Sequence, residues 1–188
     1  MGLRGDLDSG PAGRLTAPLQ RPATDEFREV MGHFTTGVTV VTARHDGEPF
    51  GTTASAVCSL SLEPPMLLVC MNKASQTGQA IEADGRFAVN ILSATQPGLA
   101  KRFARKGGSF DGVPVEPGSW EEPLLSEALA TLECHVAEEV TGGTHTVFIA
   151  EVGRVTVRRG VAPLAYFRGE FHALGALGER QLVTDEEE

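Results

Sequence analysis

Residues Phe50–Asn72 read FGTTASAVCSLSLEPPMLLVCMN, and the fold turns on how this stretch is parsed. It opens on a run of small and hydroxyl-bearing residues, Gly51-Thr52-Thr53-Ala54-Ser55, and continues with serines alternating with apolar residues. It turns at Pro64-Pro65 and ends in the apolar run Met66–Met71. Neither proline donates to a strand ladder, and each restricts the residue before it, so the pair marks a turn. Small residues let a ligand approach the backbone, and Ser and Thr offer short donors and acceptors. The stretch reads as strand, tight turn and strand, forming one wall of a site for a flat ligand.

Toward the N-terminus, Val38–Ala43 is rich in β-branched residues, and Asp46-Gly47 is a hairpin turn signal that joins it to the strand entering the quoted stretch. Before it, Phe27, Val30, Met31 and Phe34 recur at i, i+3, i+4 and i+7 on one face of a helix that Thr24 is expected to cap and Thr36-Gly37 to end. His33 beside that stripe reads as structural. Residues 1–23 are rich in Gly, Pro and Arg without hydrophobic period, and are expected to form a loosely ordered arm. Toward the C-terminus, Asn72–Gly78 is a polar loop leading into a short helix through Gln79–Ala83, with Ser75 as its cap. Arg86–Leu92 is a strand interrupted by polar Asn90, and Thr95–Lys106 a helix capped by Thr95 with Pro97 in its first turn. A Gly- and Pro-rich excursion, Gly107–Gly118, precedes strands over Thr131–Val136 and His145–Val157, and Pro163–Leu174 adds an edge strand. Many short strands and few helices, without regular βαβ alternation, predict a mainly β fold: a closed antiparallel β-barrel decorated by a few helices. A single domain over residues 24–175 is expected, followed by an acidic tail over 176–188.

Bulk properties narrow the function. A formal charge of −9 over 188 residues argues against a nucleic-acid partner. No apolar run reaches the roughly 20 residues of a membrane helix. Cys58, Cys70 and Cys134 are odd in number and scattered, as reduced thiols of a cytoplasmic protein would be, and the histidines lack metal-ligand spacing. No metal is expected.

Several residues are candidates for chemistry. The loop Asn72–Thr77 places hydroxyls and free N–H groups at a helix start, a natural anion site, although simple capping by Ser75 accounts for the same residues. Thr52–Ser55 is either a binding edge or an ordinary strand with solvated hydroxyls. Asn90 needs hydrogen-bond partners if buried, and the backbone supplies them as readily as a ligand. His145 follows a glycine loop at a strand start, where it is either structural or reaches a ligand at a barrel mouth. The pairs Glu121-Glu122 and Glu138-Glu139 read as solvated.

Taken together, Phe34–Thr42 (FTTGVTVVT), Gly51–Ala56 (GTTASA) and Ser61–Pro65 (SLEPP) resemble the short-chain flavin reductases, the reductase components of two-component flavin monooxygenases. Ser75-Gln76-Thr77, Phe87–Leu92, Phe103-Ala104, Phe110-Asp111-Gly112, Gly143–Thr146 and Tyr166–Phe171 continue the likeness in order, over about Phe27 to Leu174. The resemblance implies an FMN-binding split barrel, a homodimer, and reduction of FMN (alternatively FAD) by NADH (alternatively NADPH) for a flavin-dependent monooxygenase component. It implies that Thr52, Thr53, Ala54 and Ser55 line the isoalloxazine, that Ser75 and Thr77 hold the phosphate, and that Asn90 lies nearby. Phe103, with Lys101 or Arg102, would stand at the phosphate end, and His145 beside the nicotinamide as the catalytic residue. Gly37, Val38, Ser59 and Asn72 complete the implied cofactor contacts. Family members commonly carry Gly-Asp-His where this chain has Gly143-Thr144-His145, so a flavin carrier or a flavoprotein oxidase without a productive nicotinamide site is the alternative.

Overall fold

Glycine and β-branched residues shape the molecule from its first hairpin. Strand β2 (Thr39–His45) turns into β3 (Glu48–Ala54) through Asp46 and Gly47, both at positive φ (50° and 81°), the primed turn that matches strand twist. The computed structural model describes residues 20–174. Within them α1 (Thr24–Gly32) and the short β1 (Thr36–Gly37) precede that hairpin. After it come β4 (Val57–Leu62), β5 (Pro65–Asn72), α2 (Gln76–Asp84), β6 (Arg86–Ile91) and α3 (Pro97–Phe103). The chain continues as β7 (Val115–Pro117), β8 (Pro123–Leu125), the long β9 (Ala130–Gly142) and β10 (His145–Val157), then β11 (Leu164–Phe167) and β12 (Glu170–Ala173).

Seven strands form one antiparallel sheet in the order β3-β2-β6-β9-β10-β5-β4. The barrel is therefore split, as the resemblance implies, where strand count alone suggested closure. Strands β3 and β4 remain edges, joined in the chain by Ser55-Ala56 but not paired with each other. Strand alternation gives the sheet two apolar faces. The inner face carries Val41, Val69, Phe87, Val89 and Phe148 and is plugged by Ala80 and Ile81 of α2. The outer face carries Val38, Val40 and Leu92 and is covered by α3, β8 and β11. Phe87 and Phe148 are fully buried, and a ring of that size contributes about 3 kcal/mol by leaving water.

Several sequence expectations are corrected. Thr24 is the first helical residue instead of the cap; the backbone N–H of Ala23 is bonded by Glu26 Oε2 at 3.0 Å. Helix α3 begins at Pro97 after Gln96, so Thr95 does not cap it, and it ends at Phe103. Among the described residues nothing covers the apolar stripe of α1, with Phe27, Val30, Met31 and Phe34 all exposed (48–68%). Glu122 is not solvated. It is 1% exposed, facing an equally buried Glu133, whereas Glu121, Glu138 and Glu139 do lie in solvent. Residues 1–19 of the expected arm and the whole acidic tail lie outside the described residues. Among the described residues no helix is long and apolar enough to cross a membrane, and no group of His, Cys, Asp or Glu could hold a metal ion. All three cysteines are free.

Candidate active site

Two cavities of about 520 Å³ each open near the end of β3. One is apolar, lined from the inner sheet face by Val89, Ile91 and Leu132 and from the β3–β4 corner by Ser55, Val57 and Ser59. The other is polar and is built from three elements: Gly51 and Thr52 of β3, the loop Asn72–Thr77 entering α2, and the turn Phe103–Gly108 after α3.

Local sequence explains the polar cavity. Ser75 adopts an extended conformation, and its Oγ accepts the N–H of Gly78 at 3.4 Å, starting α2 where the chain leaves β5. The first N–H groups of a helix lack intrahelical partners and carry its positive dipole end. Thr52 Oγ1 lies 2.8 Å from Thr77 Oγ1 and 3.2 Å from Ser75 Oγ, so two elements bring three hydroxyls together at that helix start. Asn72 Oδ1 accepts the Ala74 N–H at 2.8 Å and shapes the loop, while the Lys73 N–H donates to the Thr144 carbonyl at 3.1 Å. Across the cavity stand Arg105 and Lys106, with Gly107 at φ 73° turning the chain. Gly51 is required by close packing, because a Cβ there would lie 2.7 Å from the Phe103 ring. Phe103 in turn packs against the Phe110 ring at a 58° tilt, with centroids 4.8 Å apart. A helix start, three hydroxyls and two facing cations fit a phosphate-bearing ligand.

His145 is the first residue of β10 and pairs with Asn72 across the ladder, which sets it beside the polar cavity's loop. Its Nδ1 lies 3.0 Å from the Thr144 hydroxyl, so the imidazole is oriented by a neutral side chain where a carboxylate was expected to be common.

Of the residues singled out from sequence, Thr52, Asn72, Ser75, Thr77 and Phe103 line the polar cavity. Gly37, Ser55 and Ser59 line the apolar one. The proposed wall Thr52–Ser55 is thus divided by the pleat. Thr53 donates its hydroxyl to the Ala100 carbonyl at 2.7 Å, and Ala54 packs against the inner core. Val38 and Asn90, by contrast, line neither cavity and are held within the protein. Val38 is 2% exposed in the outer core, its N–H given to Leu164 and its carbonyl accepting from Leu92. Asn90 is fully buried: Nδ2 donates to the Val40 carbonyl and the Thr42 hydroxyl, both at 3.0 Å, and Oδ1 accepts the Leu125 N–H at 2.8 Å. Lys101 and Arg102 are replaced at the cavity by Arg105 and Lys106, and Arg102 donates instead to the Asp111 carbonyl at 2.9 Å. The signal available in sequence was the basic pair set directly before Gly107-Gly108.

An antiparallel sheet left open between β3 and β4 and plugged by α2 defines a split barrel. Residues 31–175 match the model of the flavin reductase like domain, and the chain belongs to that family. It is 48% identical over 147 residues to the reductase component of a 4-nitrophenol 4-monooxygenase/4-nitrocatechol 2-monooxygenase from Rhodococcus opacus, covering 78% of each chain. It is 42% identical to a flavin reductase (NADH) from Kitasatospora aureofaciens, over 78% of this chain and 80% of the other. Among solved structures it resembles the NADH:FAD oxidoreductase SgcE6 of Streptomyces globisporus (TM-score 0.77, 37% identity, 84% of this chain and 98% of that one).

Proposed function

We propose that this chain is an NADH-dependent flavin reductase that passes hydride to FMN or FAD and delivers the reduced flavin to a flavin-dependent monooxygenase component. The observation that carries this reading is the cluster of Thr52, Ser75 and Thr77 hydroxyls facing Arg105 and Lys106 across the polar cavity. The flavin supplies the hydride-accepting chemistry, so the protein has only to bind and orient. Ser75 and Thr77 donate hydrogen bonds to the flavin phosphate, and Arg105 and Lys106 neutralise it. Gly51 keeps the wall open to close approach, and Phe103 gives it an aromatic backing. His145, held by Thr144, stands on the nicotinamide side. No strong general base is needed for hydride transfer. The relatives named for NADH favour NADH over NADPH.

The chain acts as a homodimer in this reading. Phe34 and Leu62, both exposed, rim the apolar cavity, and Phe27, Val30 and Met31 of α1 add exposed apolar surface among the described residues. Exposed apolar surface of this kind marks an association site. Sedimentation should show a species of about twice the 19.9 kDa chain mass; a stable monomer at micromolar concentration would count against it. Free cysteines suit the reducing cytoplasm, where we place the protein.

Steady-state NADH oxidation with and without added FMN, FAD or riboflavin tests the activity. Turnover that depends on added flavin is the expected result. Turnover without added flavin would favour a tightly held prosthetic group, and no oxidation of NADH or NADPH with any flavin would remove the reductase reading. In the same assay His145→Ala should raise the KM for NADH about tenfold, a loss of about 1.4 kcal/mol in binding, while FMN affinity stays unchanged. An unaltered NADH dependence would return His145 to a structural role.

A further inference from the structure

The segment between α3 and β9, residues 104–129, crosses the outer face of the sheet as a strap. At one end Phe110 packs at a tilt on Phe103 and so backs the polar cavity. At the other end the strap is fastened through two carboxyls, those of Glu122 and Glu133, each 1% exposed. The Ser119 N–H donates to Glu133 Oε2 at 2.7 Å, and the Trp120 N–H donates to Glu122 Oε2 at 2.9 Å. The two carboxyls thus sit on adjacent N–H groups of one turn, and the Oε1 of each receives no hydrogen bond from the protein. Two buried carboxylates at such range repel, whereas one carboxylic acid beside one carboxylate forms a strong hydrogen bond and satisfies an orphan oxygen.

We propose that Glu122 and Glu133 share one proton, and that this proton is a pH-sensitive clasp holding the strap against the sheet. The turn it secures is not one that local preference would keep. Glu121 sits at φ 66°, in the left-handed region unfavourable to a residue with a side chain, and Gly118 is pressed so close that a Cβ would lie 2.5 Å from the Glu122 carboxyl.

The surrounding charges leave the pair without a full counter-ion. From β10, Arg154 approaches Glu133 only at 3.7 Å and is 64% exposed. From β6, Arg86 lies over the Trp120 ring at 5.5 Å, and from β2, Arg44 bonds the Glu121 carbonyl at 2.6 Å. Cys134 on β9 is neutral, burial and the two glutamates pushing its thiol up to about 12. Burial, reinforced by Glu133, raises Glu122 above its ordinary value. Burial pushes Glu133 upward too, but the bonds from Ser119 and the charge of Arg154 outweigh it and hold Glu133 low. The stability from Glu122 is complete below the ordinary glutamate value of 4.5 and is lost as pH rises through its raised value. That from Glu133 is complete above 4.5 and is lost on acidification through its lowered value. The clasp is therefore tightest with one proton bound and loosens on the alkaline side.

Trp120, the only tryptophan of the chain, lies on this strap against Gly153, and its emission reports the clasp independently of any flavin. The full chain is titrated from about pH 5 to about pH 9.5, a span that covers a raised glutamate. The wild type should show a red shift of Trp120 emission on the alkaline limb. Glu122→Gln, which keeps the neutral form at every pH, should lack that shift. Glu133→Gln, which removes the facing carboxylate, should move the midpoint to lower pH. Superimposable wild-type and Glu122→Gln curves, flat ones included, would overturn the proposal. If circular dichroism shows Glu122→Gln unfolded, an unmoved midpoint in Glu133→Gln overturns it instead.

Discussion

Replacing Ser75 and Thr77 together by alanine weakens FMN binding about a hundredfold while leaving riboflavin binding within about twofold. In the proposed site each hydroxyl donates to a dianionic phosphate, and a charge-assisted hydrogen bond contributes about 1.5–3 kcal/mol. Two such bonds account for about 3 kcal/mol at the lower bound, which is a hundredfold in affinity. Riboflavin has no phosphate and loses nothing there. Thr52 is left without either hydroxyl partner, at a stability cost of about 1 kcal/mol that a melting curve separates from the binding loss. Flavin fluorescence titration makes the measurement. Equal losses for FMN and riboflavin would take the phosphate away from this helix start.

Replacing Asn90 by alanine is expected to destabilise the fold by about 3 kcal/mol, with flavin affinity of the folded protein unchanged. Its amide makes three hydrogen bonds to groups 35, 48 and 50 residues away in the chain. Removal strands the Leu125 N–H and loosens Thr42, whose hydroxyl in turn donates to the Pro123 carbonyl. The strap then loses its anchor over β6. A drop in Tm of about 10 °C is consistent with that loss for a domain of this size. Normal stability with lost flavin binding would return Asn90 to the site.

Much of the fold was legible because local rules carry it. Asp46-Gly47 set the β2–β3 hairpin, Pro64-Pro65 set the turn into β5, and Ser75 started α2. The meeting of Thr52, Ser75 and Thr77 followed, since these hydroxyls lie within one loop and the strand beside it. What escaped the sequence was the direction in which side chains point. Thr52 lines one cavity and Ser55, just beyond β3, the other, while Thr53 bonds α3 and Ala54 packs on the inner core, although the four are adjacent. Asn90 looked available to a ligand because its partners come from distant strands. Glu122 looked solvated beside Glu121, and only the packing of the strap on β9 buries it against Glu133. The face of α1 showed its period, but no described residue covers it.

Anaerobic mixing of NADH with the protein and FMN, followed at the visible absorbance of the flavin, tests the central claim most directly. The account predicts bleaching at a rate that saturates with NADH. Flavin that stays oxidised with both NADH and NADPH would contradict it.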